Sequence, residues 1–199
     1  VRHSQGDASI VINRLSNSVR SAYTLGEMVI VLTILGIAAT LLIPHLRDRG
    51  DTEIQAAARQ LVADISWAQC DAVAGQGFRR LHFYDDGRGW CLVTVDDASF
   101  NTAFNEATAI YADDPWRTRR GGGDFIVNFV DDTRFQTVQI VDVTTAEGGR
   151  DLTFDRLGGT VAAPGLGAGA ASVQLSDGMD TWQVNVAPVT GRVAVARVE

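Results

Sequence analysis

Residues Met28 to Ile43 read MVIVLTILGIAATLLI, sixteen positions without a charge or a strongly polar group. Extended back to Tyr23, the segment holds 21 residues, about 31 Å as a helix, which matches the hydrocarbon thickness of a bilayer. Glu27 is its sole charge. Arg2, Arg14 and Arg20 precede the segment against Asp7, and an acidic region follows it. That asymmetry predicts a cytoplasmic N-terminus and a translocated remainder. A secretory signal carries its small-residue cleavage site after the apolar core. Here Ser21 and Ala22 stand before the core, so cleavage at that point leaves the hydrophobic helix on the mature chain as an anchor.

Past Pro44 the chain turns polar and then becomes helical again. Ile54, Ala58, Leu61, Ile65, Ala68 and Ala72 recur at spacings of four and three, the signature of one apolar helix face, and Gly75 and Gly77 are expected to close the helix. From Phe78 the pattern changes to short strands. LHFY and WCLVTV flank the turn Asp85 to Gly89, a hairpin signal. FIVNFV and TVQIVDV follow an irregular stretch from about Asp96 to Gly123. DLTF, TVAA, ASVQL, TWQVNV and RVAVARV come after, separated by Gly-, Pro- and Asp-rich turns. Ala163 to Ala171 is read as a flexible loop. The expected fold is α+β: a long N-terminal helix, first transmembrane and then amphipathic, packed on an antiparallel β-sandwich or curved sheet. The expected divisions are 1–22, a leader; 23–44, the transmembrane helix; 45–77, the amphipathic half; and 78–199, the β domain.

Charge and composition exclude several functions. The formal net charge is −7, and all 17 basic residues are arginine; a nucleic-acid binder needs a basic surface, so nucleic acid is not the expected partner. His3, His45 and His82 are scattered over leader, linker and strand. They suggest neither a metal cluster nor an acid–base triad. The paired acids Asp85/Asp86, Asp96/Asp97, Asp113/Asp114 and Asp131/Asp132 lack the spacing of a calcium loop and read as solvated turns. No cofactor, metal or catalytic group is expected, and an enzyme reading has no pattern behind it. Cys70 and Cys91 do not form a zinc-type pair. Facing an oxidising compartment, they are candidates for a disulfide, with two unpaired buried thiols as the alternative.

The junction Ser21-Ala22-Tyr23-Thr24-Leu25-Gly26-Glu27-Met28, followed by the apolar run with Gly36 and Pro44, closely resembles the start of type IV prepilins and pseudopilins. In that family a basic leader ends in a small residue, and an aromatic residue, Thr-Leu and a glutamate at the fifth mature position follow. Ala22 stands where glycine is usual, Tyr23 where phenylalanine is, and Gly26 where a bulky aliphatic is. The later stretches Ala68 to Ala74, Phe83 to Trp90, Leu152 to Gly158 and Thr190-Gly191-Arg192-Val193 resemble, in order, the GspH/FimT minor pseudopilins.

The resemblance implies a non-catalytic minor pseudopilin of a type II secretion or type IV pilus-like periplasmic filament. It implies cleavage by a prepilin peptidase between Ala22 and Tyr23 and N-methylation of Tyr23. It also implies partnership with other pseudopilins or pilins, with the secretin or secreted cargo as further partners. The expected location is the inner membrane, single-pass, with the C-terminal domain in the periplasm. A carboxylate in hydrocarbon is costly unless paired or protonated. Glu27 is one turn from the amine that cleavage creates on Tyr23, and the pairing can run within a chain or across neighbours. The resemblance implies the second, with Glu27 setting assembly register; a carboxylate snorkelling to the headgroups is the alternative. A FimT-like minor pilin that binds DNA is the other functional reading, with Arg192 and Arg197 in its C-terminal hairpin. The stretch Asp113 to Arg120, mixing charge with Trp116, is read as either a partner-docking loop or a merely exposed one, its role unassigned.

Overall fold

In this computed structural model, residues 24–114, 123–145 and 148–198 are described, with the side chains of 41–51 left aside. The chain divides into two compact units, Val1–Leu42 and Ile43–Glu199, and one helix, α1 (Leu25–Gly75), contributes to both. Among the described residues ten strands follow: β1 (Phe78–Phe83), β2 (Gly89–Val95), β3 (Ile126–Asn128), β4 (Gln139–Thr144), β5 (Asp151–Phe154), β6 (Val161–Ala163), β7 (Leu166–Gly167), β8 (Ala171–Ser176), β9 (Thr181–Val186) and β10 (Val193–Val198). The first sheet runs β3-β2-β1-β5, the second β10-β9-β8-β4, and β6 pairs with β7. Every named pairing is antiparallel.

In the second unit, the apolar stripe of α1 is buried. Ile54, Ala58, Leu61, Ile65, Ala68 and Ala72 join Ala57 in one core with Leu81, Phe83, Trp90 and Leu92 of the first sheet and Val173, Leu175, Val184 and Val186 of the second. Fully burying an aliphatic such as Leu61 or Ile65 contributes about 1.5–3 kcal/mol, so this stripe ties both sheets to one helix. Alternate residues of β2 point the other way. Cys91, Val93 and Val95 form a second cluster with Phe78, Tyr84 and Phe100. The first sheet therefore carries buried side chains on both faces.

Three local expectations change. Glycine does not supply the left-handed residue at the end of α1: Gln76 does, at φ 49°. Gly77 N–H donates to Ala72 O at 3.1 Å and Gln76 N–H to Val73 O at 3.4 Å, the paired bonds of a Schellman cap. Gly75 makes room instead, because a Cβ there would lie 2.6 Å from Nη2 of Arg79, whose guanidinium pairs with Asp71. Secondly, FIVNFV yields only three strand residues. Phe129 leaves the sheet to pack edge-on against Trp90 and Phe135, at 5.5 and 5.6 Å between centroids. Thirdly, the loop from Ala163 to Ala171 contains strand β7, which closes a small hairpin on β6.

Candidate functional site

The described chain begins at the helix start. Glu27 N–H donates to Thr24 Oγ1 at 3.2 Å, and Met28 N–H donates to Thr24 O at 3.2 Å. Thr24 is thus the N-cap and Glu27 the third helical residue, the threonine half of a capping box. The Thr-x-x-Glu spacing from Thr24 to Glu27 is the sequence signal for this cap. Ala22 and Tyr23, the cleavage and methylation positions, lie outside the described residues. Beyond the cap, the large aliphatic side chains from Leu25 to Ile37 are exposed, between 44% and 83%. Thr33 and Thr40 return their hydroxyls to Val29 O and Ile37 O, both at 2.7 Å, so neither needs an outside partner. Among the described residues no helix is long and apolar enough to cross a membrane; described side chains of the apolar run stop at Thr40.

Within the second unit, one acid lies in the core. Asp64 is 3% exposed. It accepts from Trp90 Nε1 at 2.9 Å and from Gln60 Nε2 at 2.8 Å. Burial raises its pKa from 3.8 to about 6, against the two hydrogen bonds that favour the anion; the charge of Asp114 raises it further. A groove of about 1020 Å³ adjoins Gln60 and is lined also by Tyr84, Arg88, Glu106, Asp132 and Arg134. Its guanidiniums pair internally, Arg88 with Glu106 and Arg134 with Asp132.

Two of the four strings singled out in the sequence, Leu152 to Gly158 and Thr190 to Val193, meet at the helix. Gln69 Nε2 donates to Gly158 O at 3.2 Å, and it fills the space a side chain at Gly191 would need, only 1.8 Å from an added Cβ. Gly191 is left-handed at φ 61°, and so is its neighbour Val189 at φ 64°, a conformation that a β-branched residue rarely adopts. These glycines let two turns close around one amide.

The irregular stretch after β2 covers the outer face of the first sheet. Arg80 is buried there; it donates from Nε to Thr153 Oγ1 at 3.1 Å, from Nη1 to Thr102 O at 3.3 Å, and from Nη2 to Phe100 O. The His82 ring stacks on Phe104 at 3.8 Å and hydrogen-bonds Asp151 Oδ1 through Nδ1 at 2.6 Å. Residues 96–112 are therefore a tethered cover.

Cross-strand register also places His82 opposite both Cys91 and Asp151, a row with the composition of a thiol hydrolase. It lacks an active thiol: Cys91 is fully buried, and burial pushes its pKa up to about 12. The disulfide expectation is corrected here. Both cysteines are free, Cys91 buried and Cys70 exposed. Cys91 faces the outer cluster while the helix packs on the opposite face of the sheet, so no side-chain rotation brings the sulfurs together. The expectation of two buried thiols holds for Cys91 alone. Among the described residues, no group of three or more His, Cys, Asp or Glu is placed to hold a metal ion.

Arg192 and Arg197 are not neighbours in space. Arg192 lines a concavity on the outer face of the second sheet with Gln183 and Asn185. Arg197 lies opposite Trp182 on the alternate face and pairs with Asp180. They do not form one basic patch.

No protein-family model matches the sequence, and no characterised protein matches it. Its structural neighbours are a minor pseudopilin and a minor pilin. The minor pseudopilin EpsH of the type 2 secretion system of Vibrio cholerae aligns at 9% identity over 73% of this chain and 97% of that one, with a TM-score of 0.47. The type IV minor pilin FimU of Pseudomonas aeruginosa aligns at 18% identity over 73% of this chain and 90% of that one, with a TM-score of 0.44.

Proposed function

We propose that this chain is a minor pseudopilin: a non-catalytic subunit, anchored in the inner membrane by the first part of α1, that joins a short periplasmic filament. The observation that carries the reading is the contrast along α1. From Leu25 to Ile37 its large side chains are aliphatic and exposed, whereas from Ile54 to Ala72 one stripe is buried under two sheets. A helix apolar all round is stable only in apolar surroundings, and a bilayer or the matching helices of other subunits supply them. Glu27, the sole charge of the described run, stands in the first turn, where the amine of a neighbouring subunit's Tyr23 can pair with it.

The reading requires processing at Ala22/Tyr23. The leader carries three arginines and one aspartate, +2, so removing it takes the formal net charge from −7 to −9. Co-expression with a prepilin peptidase, followed by intact mass and N-terminal sequencing of the membrane-extracted protein, tests this. The expected product begins at methylated Tyr23. A mature chain beginning elsewhere, or a full-length chain that stays soluble, overturns the proposal.

A further inference from the structure

The outer face of the second sheet is polar and nearly uncharged. Register sets Thr144, Ser172, Asn185 and Ala194 in one row across β4, β8, β9 and β10, and Asp142, Gln174, Gln183 and Ala196 in the next. Val173, Val184 and Val186 alternate with them and enter the core on the other side. A concavity of about 560 Å³ opens on this face, lined by Thr144, Ser172, Gln183 and Asn185, with alanines between them and Arg192 beside them. Arg192 stands just past the first row, where its O accepts from Ala187 N–H at 2.8 Å. Gln183 Nε2 donates to Asn185 Oδ1 at 2.7 Å. That leaves Gln183 Oε1 to accept and Asn185 Nδ2 to donate, the complement of one peptide unit. Arg192 is set apart from the other arginines of a chain with 24 acidic and 17 basic residues. Every other arginine whose side chain is described has a partner: hydrogen bonds hold all but Arg156, which lies over the Phe78 ring. The Arg192 guanidinium has none among the described residues, and it lines the concavity.

We propose that this concavity docks an extended segment of a partner protein through one aspartate or glutamate side chain, whose carboxylate Arg192 holds while the neighbouring backbone lies on Gln183 and Asn185. Charge selects that occupant. A free guanidinium presents a planar fork of donors that matches one carboxylate with two parallel hydrogen bonds. The amides and hydroxyls beside it suit peptide groups, and the alanines let a chain lie close to the sheet. A nucleic acid would bring a run of phosphates, which needs several cations along one track. Here Arg197 is on the opposite face, paired with Asp180. Across the concavity from Arg192 stands an acid, Asp142, which accepts from Thr144 Oγ1 at 2.8 Å. The face therefore favours a single negative group at the Arg192 end and repels a second one at the β4 end. All of these residues belong to the second unit, so the docking does not depend on how the chain is anchored.

The test probes an immobilised library of capped random octapeptides with the detergent-solubilised full chain, comparing wild type with Arg192→Gln and Arg197→Gln. Wild type is expected to enrich peptides that carry one aspartate or glutamate. Replacing that acid by its amide in the best peptide should weaken binding about tenfold, the scale of a hydrogen bond to a charged group. Arg192→Gln should bind acid and amide forms alike, whereas Arg197→Gln, which removes the same charge from the other face, should keep the full discrimination. Arg192→Gln breaks no side-chain contact, so an unchanged thermal transition is expected and separates lost docking from lost folding. Adding the best peptide should also shift the side-chain amide resonances of Gln183 and Asn185. No enrichment of acids, an Arg192→Gln chain that selects acids as wild type does, or unmoved Gln183 and Asn185 resonances would each overturn the proposal. So would an oligothymidylate that binds more tightly than the best peptide and is lost in Arg192→Gln, which would give the site to nucleic acid.

Discussion

Asp64→Asn is the substitution whose effect the structure specifies most fully. The carboxylate lies in the helix–sheet core and accepts from two neutral donors, Trp90 Nε1 and Gln60 Nε2. Its pKa is raised from 3.8 to about 6 by burial. Below pH 3.8 both folded and unfolded chains hold the proton. Between 3.8 and 6 only the folded chain does, so stability falls as pH rises through this window. The loss levels off above 6, at about 3 kcal/mol from roughly two units at 1.36 kcal/mol each. An asparagine is neutral throughout. Its Oδ1 accepts the Trp90 N–H, and a flipped Gln60 amide accepts from its Nδ2. Asp64→Asn is therefore expected to gain up to about 3 kcal/mol at pH 8 and little at pH 4, a rise in Tm of roughly 6–12 °C at pH 8 for a chain of this size. Thermal unfolding of the detergent-solubilised full chain at pH 4.5, 6 and 8, wild type against variant, reads the difference and cancels the other titrating groups. A variant no more stable than wild type at pH 8, or a gain independent of pH, would refute the account of Asp64 as a desolvated acid. As a companion, Asp64→Ala leaves the Trp90 N–H orphaned and should cost about 1–3 kcal/mol at pH 4.5.

Two further outcomes follow from positions already described. Maleimide should modify the native chain once, at Cys70, and twice only after denaturation, because Cys91 is buried with its thiol held neutral; mass spectrometry without reductant reads both, and two thiols that appear only after reduction would contradict the separated cysteines. Gly191→Ala should destabilise by about 1–2 kcal/mol from its left-handed backbone alone, with an added loss from displacing Gln69; in a Gln69→Ala background the added part should vanish, and equal losses in both backgrounds would remove Gln69 from the clamp.

Periodicity made the buried stripe of α1 and nearly every strand legible, because both patterns repeat over several residues and one face of each is in the core. What escaped depends on contacts distant in sequence. Asp64 falls three residues after Leu61, on the buried face, yet only the Trp90 indole 26 residues later makes a carboxylate tolerable there. The cover over the outer face could be read only by knowing that Arg80 and His82 point away from the helix, and an ambiguous strand pattern such as FRRLHF hides that. The row Cys91–His82–Asp151 is a product of register, which sequence spacing does not encode. By contrast, the Leu-Thr-Phe-x-x-x-Gly string ending at Gly158 and the Thr-Gly-Arg turn were visible as strings, and their reason, closure around Gln69, was not.

The helix start shows how two readings of one residue are weighed. As the third residue after a threonine cap, Glu27 is favoured by about 0.3–1 kcal/mol beside the positive end of the helix, and the cap itself is worth about 1 kcal/mol. Charged side chains deep in a bilayer cost roughly 2.5–3.5 kcal/mol on insertion scales. Capping therefore does not offset burial of the charge in hydrocarbon. The hydrogen bonds of a capping box do not themselves require the charge, because glutamine closes the box as well as glutamate does. Thr24 accounts for where α1 begins, and the helix dipole favours a carboxylate over an amide three residues later, though by less than burial of the charge in hydrocarbon would cost. Under the proposed function, the amine of a processed neighbour would supply Glu27 with a cationic partner.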